Sequence, residues 1–220
     1  MASAIIHICV AKKINERLQR NERNFYLGSI APDLSKQLGL PKTFSHFLEG
    51  TLKEDVPNIE AFTNLYKEEL HKDFELGYLV HLYTDKLWFS GFVDNLVLNN
   101  SIKLIDGTII NIKPQEVTDI IYSDYTSLNV DLIDYYDLDL SLFYEEFDYP
   151  KSIIKEIPMD KINLIVEKMG VIIENSKKEK NYIFDIDSVV DFITDATEEI
   201  YNYLIENNLV RSDIWENFPL

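Results

Sequence analysis

Gly77-Tyr78-Leu79-Val80-His81-Leu82-Tyr83-Thr84-Asp85 sits inside the most apolar helical pattern of the chain, from Phe74 to about Phe89. A helix that is apolar all round belongs at the centre of a domain. Two of its residues are out of place in a dry core. His81 and Asp85 stand four positions apart, one turn above the other on one face, so both reach a single ion. Zinc accepts imidazole nitrogen and carboxylate oxygen at roughly 2 Å. An unpaired carboxylate is costly to bury, and no Lys or Arg stands one turn before Asp85, at positions 81 or 82. A metal is the natural partner. Taken singly, His81 reads as a hydrogen-bonded core histidine and Asp85 as a surface residue beside Lys86. Gly77, one turn earlier on the same face, leaves room for a metal or another helix, and Trp88 can wall the site.

Outward from this segment the pattern stays helical. A first helix is expected from about Ser3 to Arg20, capped by Ser3, with Ile6, Val10, Ile14 and Leu18 near helical spacing. Asn24 to Ile30 reads as a second, short helix ended by Pro32, which puts Asp33 at a helix end or in the following loop. A loop with Gly39 and Pro41 leads to Ser45-His46-Phe47. Pro57 suits the first position of a helix reaching about Lys72, and Asp73 can cap the central helix. Residues 101–112, turning at Asp106-Gly107, read as a β-hairpin. Helix returns after Pro114, with two further helices over about 158–176 and 187–208, separated by a charged surface loop from Lys177 to Asn181. Ser123 to Tyr149, rich in Tyr, Asp and Glu, reads as a solvated face. The expectation is one all-α domain over residues 1–220, a multi-helix bundle around a metal site with a small hairpin.

Composition narrows the function. The formal net charge of -17 repels a phosphate polymer, so nucleic acid is a poor partner. A small phosphate ester is still accessible, because a metal ion reverses the local field. A single cysteine, Cys9, excludes an intramolecular disulfide and a cysteine-based zinc cluster; it reads as core. The apolar run near the N-terminus is followed, not preceded, by Lys12 and Lys13, the wrong order for a signal peptide. No stretch approaches the ~20 apolar residues of a membrane span. The reading is cytoplasmic. Lys12, Lys13, Arg17, Arg20 and Arg23 form one basic stretch, read as a solvated helix face.

Of the four histidines, His7, His46 and His81 lie in apolar surroundings and His71 in a polar, surface setting. A buried imidazole must be hydrogen-bonded or bind metal. Gly28-Ser29-Ile30-Ala31-Pro32-Asp33, Ser45-His46-Phe47 and Gly77 to Asp85, with Met1-Ala2-Ser3 and His7 at the start, resemble the zinc-dependent phospholipase C family. The similarity covers about residues 1–90 and is strongest to its short, signal-less clostridial-type members. The resemblance implies a helical bundle with a metal cluster at one end. It implies that Asp33, His46, His81 and Asp85 form one metal site, that His7 and Asp85 contribute to a second, and that Asp33 is the candidate general base. No histidine follows His81, so the further site of the secreted members is absent here or built from carboxylates.

The function expected is metal-dependent hydrolysis of a phosphate ester or phospholipid headgroup, a phospholipase C-like phosphodiesterase with metal-activated water and one or two zinc ions. Iron or manganese suits the same ligands. The alternative is a non-catalytic helical protein with a structural metal, or a partner-binding module. An HD-type phosphohydrolase ranks last, because no adjacent His-Asp pair occurs. The chain has neither a Gly-x-Ser-x-Gly elbow nor a phosphate-binding glycine loop.

Overall fold

Ser3 opens the first helix as expected: its Oγ accepts the Ile6 N–H, and α1 runs Ala4–Leu18. The computed structural model describes residues 2–48, 56–98, 101–113, 116–178 and 182–211. Asn21 caps α2 (Glu22–Ile30) in the same way. Pro32 does not end the helical path. It falls early in a 3-10 turn, Ala31–Asp33, where a missing N–H costs nothing, and the chain continues directly into α3 (Leu34–Gln37). Asp33 is therefore held between two helical segments rather than in a loop. After α4 (Lys42–Ser45), α5 spans Ile59–Tyr66. Its cap is Asn58, whose side chain accepts the Ala61 N–H, so Pro57 lies before the helix. A separate 3-10 turn, Lys67–Glu69, follows it.

The central helix, α6, spans Asp73–Leu87 and is buried from Phe74 through Asp85. Lys72, not Asp73, occupies the cap position. At its C-terminal end the helix widens into a π-helical turn, Trp88–Val93. Trp88 points into an aromatic cluster with Phe92, Tyr125, Phe184 and Phe192, and its indole N–H donates to Tyr125.

The hairpin is present, with one strand more than expected. β1 (Val97–Leu98), β2 (Ser101–Lys103) and β3 (Ile109–Asn111) form an antiparallel sheet in that order, with Ile102 opposite Val97 and Ile110. Gly107 takes a positive φ in its turn, where a side chain would be strained. α7 (Val117–Tyr136), α8 (Asn163–Glu174) and α9 (Ile186–Glu206) complete the bundle. The expected solvated face at 123–149 is only partly so. Tyr135, Tyr144 and Tyr149 are exposed, but Asp124, Tyr125, Ser127 and Asn129 are buried. Asp124 accepts the N–H groups of Tyr182, Ile183 and Phe184, fastening that segment to α7. Of the loop expected at 177–181, residues 179–181 lie outside the described residues, and Lys177 and Lys178 are exposed.

Helices α2 and α6 touch backbone to backbone. A Cβ on Gly77 would overlap the Phe25 carbonyl, and one on Gly28 the Phe74 carbonyl. The room at Gly77 thus serves a neighbouring helix rather than an ion. Gly77→Ala is expected to cost at least about 2 kcal/mol despite the better helix propensity of alanine, because the obstacle is backbone. Urea unfolding followed by circular dichroism checks this; unchanged stability would mean that the helices are not in contact there.

Candidate metal centre

Five side chains from four segments converge at the end of this helix pair. His7 comes from α1, Asp33 from the turn after α2, His46 from the end of α4, and His81 and Asp85 from α6. All five are buried. Two groups among them have donor atoms close enough to hold a metal ion: Asp33, His46 and His81, and His7, His81 and Asp85.

The spacing suits an ion. His46 Nε2 lies 3.2 Å from His81 Nε2, 3.4 Å from Asp33 Oδ1 and 3.7 Å from Asp85 Oδ2. His81 Nε2 lies 4.0 Å from Asp33 Oδ1 and 3.9 Å from Asp85 Oδ2. Donors bound to a tetrahedral zinc at ~2.0–2.1 Å stand roughly 3.3 Å apart, so small side-chain movements close the shell. On the far side of the same carboxylate, Asp85 Oδ1 lies 3.3 Å from His7 Nε2. That contact lacks hydrogen-bond geometry, and both ring nitrogens of His7 and Oδ1 of Asp33 are buried without a hydrogen-bond partner among the described residues. Buried polar atoms that converge without bonding one another are expected where a cation supplies the missing partner.

The outer atoms fix which nitrogens face inward. His81 Nδ1 lies 2.8 Å from the Ser29 carbonyl, which can only accept, so Nδ1 carries the proton and Nε2 presents a lone pair. His46 Nδ1 lies 2.9 Å from Ser45 Oγ, itself 2.7 Å from Ser35 Oγ. Ser45 Oγ also lies 3.4 Å from the Lys42 carbonyl; when its hydrogen goes there or to Ser35, it accepts from His46 Nδ1. Both Nε2 lone pairs then point into the cluster, 3.2 Å apart. They repel unless a positive charge lies between them. The His7 and His81 rings stack at 3.8 Å between centroids, which holds His7 in place.

Burial dominates the electrostatics of the cluster. Burial pushes His81 well below the ordinary imidazole value, so its ring stays neutral, the form that binds metal. Burial opposes ionisation of Asp33 and Asp85; the facing histidines, His46 first, hold Asp33 below its ordinary range, and the amino terminus, then His7 and His81, hold Asp85 below it. Among the described residues only histidines come within ion-pair distance of these two carboxylates. Ala2 adds a backbone N–H to Asp85 Oδ1 at 2.9 Å.

Asp33 and Ala2 also line a cleft of about 360 Å³ between the metal cluster, α7 and α8. Lys36, Tyr122, Asn129 and Lys168 are on its walls. Burial, and then the charges of Asp33 and Asp85, raise the Tyr122 phenol to about 12, so it stays a donor.

The five residues singled out in the sequence are thus brought together. Trp88 belongs to the aromatic cluster instead, and the basic stretch is spent on ion pairs of Arg17 with Glu198, Arg20 with Asp73 and Arg23 with Glu145. His71 is exposed and Cys9 buried, as expected. Ser29, Ser35, Ser45 and the cleft lysines were missed. Only Lys36 carried a signal, its position one turn beyond Asp33.

No protein-family model matches the chain, and searches of curated proteins and of solved structures return no match. The described residues form a mostly helical fold with buried His/Asp clusters that can bind metal, and no described helix is long and apolar enough to cross a membrane.

The depressed His81 gives a pH dependence. In zinc-free protein the unfolded chain binds a proton near the ordinary value of 6.5, and the folded chain refuses it. Stability therefore falls as pH drops from 7 to 5, by up to about 1.4 kcal/mol per pH unit for one proton. The two depressed carboxyls act in the same direction but in a lower range, losing their stabilisation only below the ordinary 3.8. Urea titrations at both pH values should show the slope in wild type and its reduction in His81→Asn; equal slopes would remove His81 as the cause.

Proposed function

We propose that this chain is a metal-dependent phosphoester hydrolase of the zinc-dependent phospholipase C type. Zinc is held by Asp33, His46, His81 and Asp85, and a second ion by His7 and Asp85. The observation that carries the proposal is charge. Two carboxylates, 7% and 2% exposed and both held below their ordinary range, sit among three buried imidazoles with no lysine or arginine in ion-pair distance among the described residues. A divalent cation restores neutrality there, and a mixed nitrogen and oxygen donor set suits zinc.

A bound zinc supplies Lewis acidity and brings the pKa of water toward neutrality. The chain's own groups do the rest. Asp33 alone of the five also faces the cleft, so it is placed to accept a proton from water beside a phosphate ester. Ser29 holds His81 with its lone pair inward, and Ser45 orients the His46 ring. Asp85 uses one oxygen on each side, bridging the two donor groups.

A second reading, a structural metal without catalysis, draws on one observation: Asp33, His46, His81 and Asp85 already number the four donors of a closed tetrahedral site. Two measurements separate the readings. Elemental analysis of untagged, chelator-free protein should find one to two zinc ions, lost in His81→Ala and Asp85→Ala. The zinc-loaded protein should hydrolyse bis(p-nitrophenyl) phosphate or another diester in a broad panel, and Asp33→Asn should cut turnover by about 10²-fold or more. Metal without turnover across the panel leaves the structural reading; protein without metal ends both.

A further inference from the structure

We infer that the cleft beside the cluster is an anion subsite in which Lys36 and Lys168 bind the phosphoryl group of a small ester, an inference that rests on the hydrolase reading above. The two lysines reach the cleft from different elements, Lys36 from α3 and Lys168 from α8. Lys36 stands three residues after Asp33 along a continuous helical path, so the ammonium and the carboxylate share a face. Lys36 Nζ lies 4.3 Å from the centre of the Tyr122 ring, on the cleft wall.

Neither lysine has a carboxylate within ion-pair distance among the described residues. Both are exposed, so in a chain of net charge -17 the cleft wall presents two ammonium groups, from different elements, to an anion. Their like charges repel when the cleft holds no anion, and a phosphoryl group removes that repulsion while accepting charge-assisted hydrogen bonds. Asn129 adds a buried side-chain oxygen without a hydrogen-bond partner among the described residues, on the same wall. It can accept from a hydroxyl or a protonated phosphate oxygen.

The rest of the lining sets the organic part of the ligand. Ile165, Met169, Ile172 and Tyr125 give the cleft an apolar side. A volume of about 360 Å³ is at the small end of ligand sites and admits one short apolar or aromatic group, not a polymer. The ligand class is a phosphate ester with a small apolar substituent, met either free in solution or at the head of a lipid.

The test is binding by the full chain, with and without added zinc. Isothermal titration at low salt measures inorganic phosphate and phenyl phosphate on wild type, Lys36→Gln, Lys168→Gln, the double variant, and Lys113→Gln as a distant control. Each single variant should lose affinity by about fivefold and the double variant by more than about tenfold, with the control unchanged. Flotation with phosphatidylcholine vesicles, with and without phosphatidic acid, assigns the source. Binding of phenyl phosphate alone indicates a soluble ester, and lysine-dependent flotation indicates a lipid. No phosphate binding by wild type, or equal affinity in the double variant, overturns the subsite. Turnover whose KM ignores both lysines keeps the hydrolase and loses the subsite. Lysine-dependent binding without any turnover does the reverse.

Discussion

Asp33 and Asp85 carry negative charge into an interior otherwise built from Ile, Leu, Val and aromatic rings. In a medium that screens poorly, two such charges cannot be left alone. Every ordered feature around them answers that constraint. Three imidazoles turn toward them, an Ala2 amide caps one oxygen, the Ser29 carbonyl sets the inward nitrogen of His81 as a lone pair, and Ser45 orients His46. The arrangement gathers electron pairs on one point, which a dication satisfies better than any side chain within reach.

The bundle geometry makes that convergence possible. Gly28 and Gly77 let α2 and α6 meet at backbone distance. That closeness brings the Ser29 carbonyl onto His81 and sets the following turn so that Asp33 returns toward the same face. The aromatic cluster around Trp88 packs at the C-terminal end of α6, and Asp124 ties the 182–184 segment to α7 beside it. Packing and polar chemistry are thus one design, in which the glycines are as much part of the centre as its ligands.

Much of this was legible from single residues. The His81–Asp85 interval on an unbroken apolar helix placed both on one buried face, and Ser3, Gly107 and the 187–208 periodicity located their elements well. What failed was local punctuation. Pro32 looked like a stop because a proline commonly is one, but at the start of a 3-10 turn it blocks nothing. Pro57 looked like a first helical residue, yet Asn58 one position later offers a capping oxygen. The residues behind the ligands were harder to find, since Ser29 acts through its backbone carbonyl and any residue has one. The 123–149 region misled through composition: an acidic, tyrosine-rich stretch conceals Asp124, whose burial depends on three amides nearly sixty positions away.

The glycine contact also bears on how an ion would enter and leave. With α2 locked to α6, the Ser29, His81 and Asp85 side of the cluster opens only when the core itself opens, a slow and costly event. His46 stands differently, at the end of a four-residue helix and held mainly through Ser45, Ser35 and the Tyr78 hydroxyl on the Ser45 carbonyl. The centre therefore has a fixed jaw and a hinged one. Exchange of an ion held there would run through the short α4 segment, so residence time and fold stability need not rise or fall together.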